Sequence, residues 1–136
     1  LAAADLVADP ALLGRPAAAG VSERLNTLAA VLSATSAPAV IVAAVVHGEL
    51  LSLDAFPPSS GVVARTAVRL TLVDRGLDPK SLVVVEAGHR ELAADYVAAL
   101  AAYRMGDIAQ WLWHCCDAVV AGARESTAIC EAILRG

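Results

Sequence analysis

From Ala37 to Val46 the chain carries no polar side chain. The run is about half of the roughly 20 residues needed to cross a bilayer, so it reads as a core helix. With Ser36 and Pro38 marking its start, this helix is expected over about 37–53. A helix that is apolar on nearly all sides must be covered on all of them, which makes it the centre of the fold. The covering material is of one kind: hydrophobic residues make up 58% of the chain and aromatic ones only 4%, so Ala, Val and Leu dominate. Small aliphatic side chains favour closely packed helices over an aromatic-rich sandwich. The expected fold class is all-α, a bundle around a central buried helix pair, and 136 residues suffice for one compact domain.

The remaining boundaries follow from caps and breakers. Residues 1–21 are rich in Ala, Pro and Gly, with Pro10, Gly14, Pro16 and Gly20 as breakers, so a short helix over Leu1–Ala8 and then a loop are expected. Ser22 is the expected N-cap of a helix to about Ser33, with Glu23 in its first turn. A loop of two prolines, two serines and a glycine spans Asp54–Gly61. The next helix, about 62–75, stops at Gly76 with Pro79 beyond, and Arg65 and Arg69 share one of its faces. Leu82–Val85 reads as strand-like or as an extended connector. Further helices are expected over about 88–104, with Leu92, Tyr96, Leu100 and Tyr103 at helical spacing, and over about 108–134 after Gly106 and an Asp107 cap.

Composition excludes some functions. A net charge of -4 offers no basic footprint for nucleic acid, and no segment is long enough for a membrane span. No basic stretch precedes an apolar one near Leu1, so no signal peptide is expected. Three cysteines, two of them adjacent (Cys115, Cys116), do not make a secreted disulfide framework. The expected setting is reducing and cytoplasmic.

Chemistry concentrates in the loop before the third helix, Leu53-Asp54-Ala55-Phe56-Pro57-Pro58-Ser59-Ser60-Gly61-Val62-Val63-Ala64-Arg65. Serines and a glycine leading into a helix N-terminus form an anion cradle, or only an ordinary cap; the first amides of a helix have no partners within it. Arg65, one turn inside, adds a charge-assisted donor. His47, on the central helix, is either a hydrogen-bonded core histidine or a cleft residue about two turns from Asp54. His114, Cys115, Cys116 and Cys130 lack any recognised metal spacing, and neighbours on a helix diverge by about 100°; buried free cysteines act as small hydrophobes. Glu86 and His89 are expected to serve a cap or loop.

The same loop resembles the signature of the Fic (Fido) family, which includes the Doc toxins: His-Pro-Phe-x-Asp/Glu-Gly-Asn-Gly-Arg-x-x-Arg. Phe56, Gly61 and Arg65 match it. Asp54 stands at the His position, Ala55 at the Pro, Pro58 at the acid, Ser59 and Ser60 at the Gly and Asn, and Val62 at the first Arg. The flanks are similar as well. Ala43-Ala44-Val45-Val46-His47-Gly48-Glu49-Leu50 resembles the Ala-rich helix that leads into the motif, and Arg69-Leu70-x-Leu72 with Gly76-Leu77 resembles the helix after it. Arg90-x4-Asp95-Tyr96-x3-Leu100 and Gly106-Asp107-x3-Trp111-Leu112 resemble later segments, so the similarity runs over about 22–123.

The resemblance implies an all-helical Fic-like domain over 22–136. In active relatives the motif His is a general base that deprotonates a protein hydroxyl, which attacks a nucleotide phosphate, usually of ATP, and leaves AMP on the target. The acid holds Mg²⁺, the Gly-Asn-Gly backbone cradles phosphate and the arginines neutralise it. Here a carboxylate, the weaker proton acceptor, replaces the base, while Pro58 cannot ligate a metal through its side chain and Val62 cannot pair with phosphate. The expectation is therefore a degenerate domain without the usual AMP transfer, a binding or regulatory module with a residual phosphate or nucleotide cleft at Ser59, Ser60, Gly61 and Arg65. ATP or another nucleotide is the candidate ligand, with no metal site. The alternative is a transferase with altered residues, Asp54 as base aided by His47. A structural domain that associates with a protein partner or with itself as a homodimer is the third.

Overall fold

The computed structural model describes residues 9–12 and 14–136; the helix expected over Leu1–Ala8 lies outside them. Among the described residues the fold is all-α, without a strand. A 3₁₀ turn at Pro10–Leu12 is followed by α1 (Ala19–Ala34), α2 (Ala39–Leu53), α3 (Ser60–Asp74), α4 (Val85–Glu91), α5 (Ala93–Arg104) and α6 (Ile108–Arg135). No described helix is long and apolar enough to cross a membrane.

The uniform apolarity of α2 is explained by its three covered sides. Val46 and Leu50 pack with Leu28 of α1 and Ala64 of α3. Ala44 packs with Ala99 and Tyr103 of α5 and Trp111 of α6, and Ala43 with Val68, Leu72 and Val85 of α3 and α4. Small residues set the spacing. A Cβ on Gly48 would lie 2.8 Å from the Tyr103 ring, and the Trp111 indole, wholly buried, donates to the Ala44 carbonyl at 2.8 Å. Tyr103 and Arg24 both donate to Glu49, at 2.9 and 2.7 Å, which ties α5 and α1 to α2.

Helix starts depart from the local signals wherever tertiary packing overrides them. Helix α1 begins three residues before the expected cap Ser22, at Ala19, and takes in Gly20; the boundary expected at 21/22 therefore falls inside it. The Ala17 amide donates to the Ala55 carbonyl at 3.0 Å, and Val21 packs on the α1–α2–α3 core, so the chain is already anchored there. Helix α3 also starts early, at Ser60. The single helix expected over 88–104 is two, broken at Leu92 (ψ 31°). Gly88 of α4 lies flush on α6, where a Cβ would come 1.9 Å from the Ala118 carbonyl oxygen. Tyr103 of α5 reaches α2 instead, and the backbone turns at Leu92 between these two packings.

Stops behave as expected. Gly76 and Gly106 take left-handed φ of 73° and 94° after α3 and α5, where glycine escapes the Cβ penalty. Residues 82–84 are an extended connector and not a strand. The buried Asp78 carboxylate accepts the Leu82 and Val83 amides at 2.9 Å each, and the Ser126 hydroxyl of α6 accepts the Val84 amide at 3.1 Å.

Candidate functional site

The α2–α3 loop and the first turns of α3 hold five of the six residues singled out from sequence. Asp54 is the exposed C-cap of α2 in a left-handed conformation (φ 43°, ψ 51°). Seven residues separate it from His47, roughly 10 Å along a helix axis at 1.5 Å per residue, and His47 is only 2% exposed. The structure does not bring the two together. Ser60 Oγ accepts the Phe56 amide at 2.9 Å, closing the loop upon itself, and Ser59 is buried at the start of α3. The Ser60 hydroxyl serves the loop's own shape. What faces outward is Arg65, which is exposed. Its guanidinium folds back over the first turn of α3, where a Cβ on Gly61 would lie 3.2 Å from Nη1.

The structure gathers a second group that the sequence reading had left apart. All three histidines of the chain meet: His47 from α2, His89 from α4 and His114 from α6. His89 Nδ1 and His114 Nε2 are 3.0 Å apart, and the two rings stack at 5.1 Å. His47 meets His89 edge-on at 5.0 Å and Trp111 at 5.2 Å. The Tyr96 hydroxyl of α5 lies 3.5 Å from His47 Nε2. His47 and His89 then line a narrow crevice, without room for a water molecule, whose other walls are Arg65, Val68 and Arg69 of α3 and Val85 and Glu86 of α4. Glu86 and His89, expected to serve a cap or loop, are thus cleft residues.

Electrostatics here are decided by burial. Desolvation, with smaller repulsion from His89, Arg65 and His114, holds His47 down at about 3. Desolvation and the neighbouring His114 hold His89 at about 4, and desolvation lowers His114. Desolvation also pushes the Tyr96 phenol up. The cluster is therefore neutral near pH 7, and its rings act as hydrogen-bonding groups, not cations.

The shared His89–His114 proton has a preferred place. His114 Nδ1 is buried without a partner, and a bare acceptor is less costly to bury than an orphaned N–H. His114 Nε2–H is then the donor to His89 Nδ1, and His89 carries its own proton on Nε2.

Positive charge in the cleft comes from α3. Arg69 is committed to Glu86 through two bonds of 3.0 and 2.7 Å. Burial is the largest single influence and works to raise Glu86, but the hydrogen bond from Arg69, a backbone hydrogen bond and the charges of Arg69 and Arg65 together outweigh it and the carboxyl is lowered. Arg65 makes no ion pair among the described residues, yet its charge is felt by His47, Glu86, His89 and Tyr96 together. It is the uncompensated cation of the site.

No metal centre accompanies this cluster. Among the described residues no group of three or more His, Cys, Asp or Glu side chains is arranged to hold a metal ion. Cys115 is buried, its thiol pushed up to about 12 by desolvation, while Cys116 is half-buried and Cys130 exposed farther along α6. Comparison of the chain with protein-family models, curated proteins and solved structures found no match.

Proposed function

We propose that this chain is a Fic-like helical domain that does not transfer nucleotides and instead binds a phosphate-bearing ligand at the mouth of the crevice between α2, α3 and α4. The observation that carries the reading is the unpaired Arg65 guanidinium. It stands beside the first turn of α3, whose leading amides have no intrahelical partners, and beside a wall of neutral histidines. A desolvated, otherwise neutral lining strengthens the attraction of one cation for an anion. The crevice behind Arg65 is too narrow to admit even a water molecule, so a phosphoryl group would lie at its mouth against the exposed guanidinium, with any base and sugar farther out.

The residues do not support the usual transfer reaction. A general base works best with a pKa near the operating pH, and His47 is held at about 3. Asp54 is exposed at the end of α2, about two turns from His47, and Pro58 and Val62 supply neither metal ligand nor second cation.

The test is calorimetric titration with inorganic phosphate, pyrophosphate, ADP and ATP, with and without Mg²⁺. Binding by phosphate-bearing ligands is expected, weakened about tenfold or more by Arg65→Met through loss of a charge-assisted bond. No heat at millimolar ligand, or equal binding by Arg65→Met, would sink the reading. Labelling of proteins in a lysate by ATP, abolished by Asp54→Ala, would establish the transferase instead.

A further inference from the structure

We propose that the outer face of α6 is a self-association seam, on which α6 of a second copy packs antiparallel. The inner face of this helix is occupied: Trp111, Cys115, Ala118 and Gly122 are buried against the body. The opposite face carries a second apolar stripe. Trp113, Val120, Thr127 and Leu134 recur every seven residues, with Cys116, Ala123 and Cys130 three positions after the first three of them. That is the 3.5-residue period of a two-helix seam. Trp113, Val120 and Leu134 are 72%, 48% and 86% exposed, and every residue of Thr127–Arg135 is exposed. A helix end of this length has little stability of its own, and its apolar stripe is continuous with the part seated on the body.

Charge selects a second copy as the occupant. Asp117 and Arg124 flank the stripe on one side, and neither forms an ion pair among the described residues. With a two-fold axis between Ala121 and Gly122, Val120 meets the partner's Ala123 and Trp113 meets the partner's Cys130. Asp117 then approaches the partner's Arg124, and the symmetry repeats the pair. This is the isologous arrangement expected of a two-fold dimer. A parallel pair would set the same charges against Leu112, Val119 and Ser126 and form no pairs. Small side chains at Cys116 and Ala123 let the helices come close, near the lower end of the roughly 8–10 Å range.

Sedimentation equilibrium of the full chain across a hundredfold concentration range tests the seam. A monomer–dimer equilibrium is expected. Arg124→Asp should weaken it about tenfold, because two attractive contacts become repulsive, and Asp117→Arg in the same chain should restore it. Val120→Glu should leave a folded monomer by circular dichroism. A monomeric mass at every concentration would overturn the proposal and leave the face to a different protein. A dimer indifferent to Val120→Glu and to the charge swap would place the interface elsewhere. Ready oxidation to a Cys130–Cys130 disulfide would show the helices parallel, since the antiparallel seam sets those sulfurs far apart.

Discussion

Acidification should unfold this domain earlier than a typical protein of its size, because folding forbids three histidines their protons. The groups facing them come from every side: His47 meets His89, His114 and Arg65; His89 meets His114, Arg65 and Glu86; His114 feels Asp95 and Asp117. Of these only the acids favour protonation, and desolvation outweighs them. The folded-state values, about 3 for His47 and about 4 for His89, lie below the ordinary 6.5. The unfolded chain therefore binds more protons than the folded one through the window from about 6.5 down to about 4, and stability falls as pH falls. At pH 5 the unfolded state has gained about 2 kcal/mol per histidine relative to pH 7, so His47 and His89 together remove about 4 kcal/mol.

That figure rests on the unfolded pKa and needs only that both folded values stay well under 5. It is a large share of the roughly 5–15 kcal/mol that holds a domain together. Denaturant titrations at pH 7 and pH 5 measure it, and the loss of stability should be accompanied by uptake of about two protons on unfolding at pH 5. Ring-proton resonances of the folded protein should show His47 and His89 not titrating above pH 5. Stability at pH 5 within about 1 kcal/mol of that at pH 7, or either histidine titrating near its ordinary value, would refute the burial argument.

Four further outcomes follow from the packing. Gly88→Ala should destabilise by about 3 kcal/mol or more, since its Cβ would sit 1.9 Å from the Ala118 carbonyl oxygen; Gly20→Ala, with open space around it in α1, should stabilise by about 0.5–1 kcal/mol, both read from denaturant midpoints. Asp78→Ala should cost about 2–3 kcal/mol, because two amides of the 82–84 connector lose their charged acceptor, and hydrogen exchange at Leu82 and Val83 should rise with it. Arg75 donates to the Thr35 carbonyl at 2.8 Å and to the Leu32 carbonyl at the C-terminal end of α1, so Arg75→Met should lower thermal stability by about 1–2 kcal/mol, and by less at high salt.

The helices were legible where one residue decides a boundary. Gly76 and Gly106 end their helices because the left-handed residue after a helix favours glycine whatever surrounds it. The placement of α2 was legible because a segment apolar on all sides has few other places to be. Ser22 misled because a capping hydroxyl is only one way to start a helix, and the anchoring of Ala17 and Val21 set the start earlier. The break at Leu92 left no mark, since Gly88 reads as a weak helix former until its contact with Ala118 is known. The histidine cluster was illegible for a stronger reason. His47, His89 and His114 are far apart in sequence and meet only through the packing of α4 on α6 and of both on α2. The available signals were the glycines at 48 and 88, which mark close helix approach beside His47 and His89.

The cleft and the outer face of α6 lie on opposite sides of the same turns, and electrostatics joins them. His114 faces inward to His89, while its neighbours Trp113, Cys116 and Asp117 face or flank the seam. The Asp117 charge works to raise His114. On the proposed seam that carboxylate is neutralised by the partner's Arg124, which removes part of what favours a proton on the cluster. An anion at Arg65 acts in the opposite sense, because it offsets the Arg65 charge, a smaller contribution than desolvation to holding His47 and His89 down. Each effect is reciprocal with proton binding. Because His47 and His89 stay neutral in the folded protein down to about pH 4, an anion's coupling to them is confined to the acid range where the fold is already weakened.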